Sequence, residues 1–169
     1  MAGSFETKLG DERTQLEAFV HDQREQIALL LDGIDDEMAR RRLVPSLTTL
    51  GGLVKHCAFV ERVWFQVGLL GRTRAEVGLP EEIDDSFVLT DDDTVESLVA
   101  DYRLAWAESL AAAAAYGLDD LVEHNRRSPM TLRWVHLHLV RELARHAGHG
   151  DILREQILAA DGDGPVLIA

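Results

Sequence analysis

Between positions 132 and 153 the residues Leu132, Val135, Leu139, Glu142, His146, His149 and Leu153 follow one another at alternating steps of three and four. That spacing puts all seven on one face of an α-helix and is incompatible with a strand. Glu142, His146 and His149 stand where the pattern calls for apolar side chains. A second stretch, Leu53, His56, Val60, Val63 and Val67, has the same period and carries a histidine in the same kind of place. Ionisable groups aimed into a bundle are costly unless paired, and a divalent metal suits imidazole and carboxylate together. The expectation is of helices whose inner faces meet around a shared cation.

The same reading predicts four long helices and little strand. The first spans residues 12–31, with Leu16, Phe19, Val20, Gln23, Ile27, Leu30 and Leu31 as its apolar face and Gly33 as its stop. Ser46 or Thr48 is expected to cap the second, where Gly51 and Gly52 leave room for close packing and Gly71 ends the run. Residues 72–93 form the longest irregular segment, a crossover with a lid role or a plain connector. Asp93-Thr94-Val95-Glu96 reads as a capping box with Asp93 as the cap, opening a third helix that carries Val95, Leu98, Tyr102 and Trp106. Ser128-Pro129 is expected to start the fourth, which reaches Ala160 before breakers at residues 161–165. The fold class is all-α: a four-helix bundle with long crossover connections, one domain over residues 1–169.

Charge narrows the partners. Seventeen Lys and Arg against thirty Asp and Glu give a net −13, which repels phosphate backbones, so no nucleic acid is expected. The run Arg40-Arg41-Arg42 reads as a solvated helix end. No window has the apolar length of a membrane span, Met1-Ala2-Gly3-Ser4 lacks the features of a signal peptide, and the single Cys57 fits a reducing compartment. The expected location is cytoplasmic, with no membrane partner.

Glu142 and His146 are four residues apart, so one helix offers both to a single ion, with His56 supplied from across the interior. Three protein ligands leave a position open for water, thiol or substrate. The competing readings are a buried Glu–His ion pair and, for His56, an ordinary core histidine. His138, one turn before Glu142, is placed as its hydrogen-bond partner. His136 faces elsewhere, His21 and His124 read as surface or loop positions, and Cys57 as a small buried hydrophobe. No HExxH, Glu-x-x-His pair, P-loop or complete calcium loop is present.

Two stretches, Thr49-Leu50-Gly51-Gly52-Leu53-Val54-Lys55-His56 and Arg141-Glu142-Leu143-Ala144-Arg145-His146-Ala147-Gly148-His149, resemble the DinB-like superfamily, which includes mycothiol-dependent maleylpyruvate isomerases and bacillithiol-transferase-like proteins. The resemblance implies an up-down-down-up bundle, a homodimer and a divalent metal on His56, Glu142 and His146. Zinc is the first choice of metal, with nickel, iron or manganese as alternatives. It places His149 as an alternative ligand or a polar neighbour of the ligands. It also implies an S-transferase or isomerase that uses mycothiol or a similar small thiol on a small electrophile, the metal lowering the thiol's pKa. A non-catalytic helical dimerisation module and a metal-dependent hydrolase are the alternatives.

Overall fold

The computed structural model describes residues 1–127, 129–160 and 162. Helix α1 (Glu12–Leu29) starts where the Asp11 carboxylate accepts the Thr14 amide at 2.8 Å. A short α2 (Asp36–Arg40), invisible in the periodicity because it is little more than one turn, is capped by Asp35. Helix α3 (Leu50–Arg62) is capped by Thr49, whose hydroxyl accepts the Gly52 amide, and not by Ser46 or Thr48. It widens into π-helical turns over Val63–Leu69 and stops at Gly71, whose φ of 73° suits glycine.

Helix α4 (Val95–Ala113) is capped by Thr94, which exchanges hydrogen bonds with Ser97. Asp93, the cap expected from sequence, instead accepts the Thr90 amide at 2.6 Å and the Lys55 ammonium at 2.7 Å. A small antiparallel pair, β1 (Leu121–Val122) and β2 (Met130–Thr131), precedes α5 (Leu132–Ala160). Ser128, the expected cap, and all of the terminal breakers but Gly162 lie outside the described residues.

Ion pairs and ring contacts give the helix directions. At one end of α1 and α5 Arg133 meets Glu12 at 2.6 Å, and at the other Arg154 donates to the Leu30 carbonyl at 3.1 Å, so these two helices are parallel. Lys55–Asp93 at 2.7 Å and Arg62–Asp101 at 2.6 Å make α3 and α4 parallel in the same way. Arg13 reaches the Ala113 carbonyl at 3.1 Å and Arg103 meets Glu25 at 3.6 Å, so α1 and α4 are antiparallel. Rings of His56 and His146 at 4.9 Å and of Trp64 and His138 at 4.7 Å set α3 against α5, again antiparallel. The order is up, down, down, up. The described residues are all-α apart from the two-residue strands, as the spacing predicts.

One apolar core links the helices, with Val20, Ile27, Leu53, Tyr102, Leu139 and Ile157 among its fully buried members. Inside it lies an ion pair that the pattern of α1 conceals. Arg24 is 3 % exposed and Glu61 0 %, and two nitrogens of the guanidinium reach the two carboxylate oxygens at 2.7 Å each. Phe19, placed on the apolar face by spacing, is 49 % exposed. The expected solvated run at Arg40 does close α2, but Arg40 is half-buried and donates to the carbonyls of Thr90, at 2.7 Å, and Asp93. No described helix is long and apolar enough to cross a membrane.

The crossover from α3 to α4 returns along the bundle and approaches the start of α3 at Gly52. A Cβ there would lie 2.5 Å from the Phe87 carbonyl oxygen. The close packing expected of the two glycines is thus between α3 and the crossover.

Two outcomes follow. Glu61→Gln strands the buried Arg24 charge and should cost about 3–5 kcal/mol in urea unfolding, whereas the double change Arg24→Met/Glu61→Leu should recover most of it. His136 is buried and its Nδ1–H donates to the Leu132 carbonyl at 3.0 Å; burial holds its pKa below 6.5. The unfolded chain then binds a proton that the folded chain excludes, so unfolding free energy of metal-free protein should fall as the pH drops below about 6.5, and less steeply in His136→Gln.

Candidate metal centre

His56 comes from α3, Glu142 and His146 from α5, and one donor atom from each lies within 4.8 Å of the other two. Glu142 Oε1 and His146 Nε2 are 3.3 Å apart. Two ligands bound to one tetrahedral zinc at about 2.0–2.1 Å each stand about 3.3–3.4 Å apart, so this spacing suits a shared ion as well as a weak hydrogen bond. His146 Nδ1 is buried with no hydrogen-bond partner.

The helix face differs from the expected one in a way that matters. The fully inward stripe of α5 runs through Leu139, Leu143, Ala147, Gly150, Leu153 and Ile157. Glu142 and His146 are one residue off that stripe, half-buried at its edge. A strict alternation of three and four averages 3.5 residues per turn, and over several turns it drifts away from the 3.6 of a real helix. The polar groups therefore border the core without interrupting it, and Glu142, together with His56 of α3, lines a cleft of about 660 Å³. His149 drifts furthest. It is exposed, its ring is 6.1 Å from that of His146, and it is not part of the cluster.

The crossover completes the site. In the 3₁₀ turn Asp84–Phe87, the Ser86 hydroxyl lies 2.7 Å from His56 Nδ1 and donates its own hydrogen to the Ile83 carbonyl at 2.5 Å. With its single hydrogen committed, that hydroxyl accepts at His56, so Nδ1 carries the proton and Nε2 keeps its lone pair. The Phe87 ring covers the imidazole at 3.9 Å and 14°. Burial first, and then the neighbouring His146, push the His56 pKa down to about 4, against the opposite pull of Glu142. The hydrogen bond from His146 holds Glu142 down at about 2 against its partial desolvation. Near neutrality the set therefore offers an unprotonated imidazole and a carboxylate, the forms that bind a cation.

His138 does not hydrogen-bond Glu142. Its Nδ1 accepts from Arg141 at 2.9 Å, and its ring stacks on Trp134 at 5.2 Å and 5°. His136 is buried as well, on a different face of α5 from His138. His21 is half-buried against Trp106, with ring centroids 5.2 Å apart, and is not a surface residue; His124 is exposed. Cys57 is fully buried and its thiol pKa is raised by desolvation, which fits its reading as a small hydrophobe. Ser86 and Phe87 escaped the sequence reading, and the trace they left was indirect: two glycines one turn before His56, making room for another backbone.

With this geometry in place, the family comparison is decisive: the model of mycothiol-S-transferases matches residues 15–159. The chain belongs to that family. It is thereby a DinB-like protein of the mycothiol-related transferase and isomerase group, in keeping with its helix order. No curated protein matches the sequence.

Ser86→Ala removes the acceptor for a buried N–H. It should lower stability by about 1–3 kcal/mol in denaturant titration, while Ser86→Thr, which keeps the hydroxyl, should restore most of the loss.

Proposed function

We propose that the chain is a metal-dependent enzyme that joins a low-molecular-weight thiol of the mycothiol type to a small electrophile, with His56, Glu142 and His146 as the metal's protein ligands. The observation that carries the reading is the convergence of two imidazoles and a carboxylate beside a cleft that His56 and Glu142 line, in a chain of the mycothiol-S-transferase family. Without a cation the group satisfies itself poorly, since the hydrogen bond among its three members is the 3.3 Å pair and one buried imidazole nitrogen has no partner. Two nitrogens and one oxygen suit zinc best, and three protein ligands leave room for one more.

A divalent ion there supplies Lewis acidity that lowers the pKa of a thiol reaching its open position. The protein's own contribution is orientation and dryness. Ser86 holds the His56 tautomer, Phe87 excludes water from one side of the imidazole, and the carboxylate of Glu142 offsets part of the cation's charge. A hydrolase would need a general base beside the ion. Among the described residues lining the cleft, the one carboxylate besides Glu142 is Glu81, exposed on the crossover. The homodimer is part of the same proposal, and Phe19, Leu29 and Leu104, each about half exposed, offer apolar surface for it.

Metal analysis of purified protein should give one ion per chain, lost in His56→Ala. Mycothiol-dependent conjugation of monochlorobimane should fall by about a hundredfold in His146→Ala with the fold retained. Metal-free wild-type protein that conjugates as fast as the loaded form would overturn the reading, and a protein that binds no metal and shows no activity would favour the helical module.

A further inference from the structure

The cleft in front of the metal centre is basic although the protein is strongly acidic. Against a net charge of −13, Arg74, Arg126, Arg127, Arg141 and Arg145 line the opening, and its acidic members are Glu81 and Glu142. At physiological salt charges are screened over about 8 Å, so a ligand in the cleft responds to these arginines more than to the distant acidic surface.

Two of the arginines are tied to the fold. Arg74 donates to the carbonyls of Pro80, at 3.0 Å, and Glu81, and its guanidinium lies 5.3 Å from the centre of the Phe59 ring. Arg141 gives one N–H to His138, which is clamped in a stack with Trp134, and keeps the rest of its donors. The side chains of Arg126, Arg127 and Arg145 make no hydrogen bond or ion pair among the described residues. Arg126 and Arg127 belong to the β1–β2 connection, and Arg141 and Arg145 flank Glu142 in sequence. The same lining has an apolar part, formed by Val60, Val63, Val67 and Trp64. Guanidinium forks pair with carboxylates in two-pronged fashion, and an aliphatic and aromatic wall receives a hydrophobic body.

We propose that the cleft selects an anionic electrophile, a small molecule with an apolar body and an oxyanion such as a carboxylate, which Arg126, Arg127 and Arg141 hold while its reactive carbon faces His56, Glu142 and His146. This rests on the transferase reading above. In the reaction the thiolate sulfur forms a bond to that carbon, the leaving group departs with the bonding pair, and the thiol proton passes to solvent. With an aryl chloride as probe, one C–S bond forms, one C–Cl bond breaks and chloride is released.

Two measurements test it. Calorimetry on the protein as purified, its metal content known, compares 3,5-dinitrobenzoate with 3,5-dinitrobenzamide, neither of which has a leaving group. The acid should bind about tenfold tighter, with the preference lost in Arg126→Ala/Arg127→Ala and reduced in Arg141→Ala. Mycothiol transfer to 4-chloro-3,5-dinitrobenzoate and to its amide should show KM for the acid raised about tenfold in the double variant, with kcat and the amide's constants within about twofold of wild type. Equal binding of acid and amide by wild-type protein overturns the proposal, as does a preference that survives in the arginine variants, since the carboxylate is then held elsewhere. Transfer to both probes without charge preference sinks this inference and leaves the transferase reading standing. Charge-selective binding without any transfer does the reverse.

Discussion

Helices α3 and α4 are neighbours that run in the same direction, and the architecture of the site follows from that pairing. Parallel neighbours cannot be joined by a tight turn; the chain must travel back the length of a helix before the second can begin. Here the return segment lies over the start of α3, where glycine at position 52 lets its backbone come closer than any side chain would allow. Ser86 and Phe87 arrive on His56 as a result. A bundle of antiparallel hairpins would have left that imidazole with one face open and its proton unassigned.

Helix α3 carries two polar features of opposite character. Glu61 and His56 are five residues apart and so point about 140° away from each other around the axis. On one side Glu61 is enclosed with Arg24, each group satisfying the other, and the pair ties α1 to α3 in one register. On the other side His56 meets Glu142 and His146 at the edge of the core, beside the cleft, where the internal hydrogen bonding is incomplete. Burial and satisfaction make the first a structural fastening. Openness and deficit leave the second with donor atoms that the fold itself does not use.

Much of this was legible in the residues because the signals are local. The 3.6-residue period gave α1, α3, α4 and α5 close to their observed ends, and the four-residue step from Glu142 to His146 survives any error in what the helix packs against. His56 emerged by the same argument on another helix. Local rules fail where they are extended too far. A strict alternation of three and four carries His149 inward, although helical drift turns it out to solvent. His138 was one turn from Glu142 and still turned to Arg141, because stacking on Trp134 determines its orientation. Arg24 is hidden in an otherwise ordinary amphipathic pattern, and only the position of Glu61 across the core explains it. Ser86 lies in an acidic loop with nothing to distinguish it until the backbone has folded over α3.

One residue on α3 has a consequence for a protein of a thiol-handling family. Cys57 is the chain's sole sulfhydryl, one position from His56, yet fully buried, and desolvation keeps it in the protonated and unreactive state. Mixed-disulfide capture by a small-thiol cosubstrate, or alkylation by the electrophile meant for that cosubstrate, needs an accessible sulfur anion. The packing that withholds one spares this scaffold from becoming its own substrate.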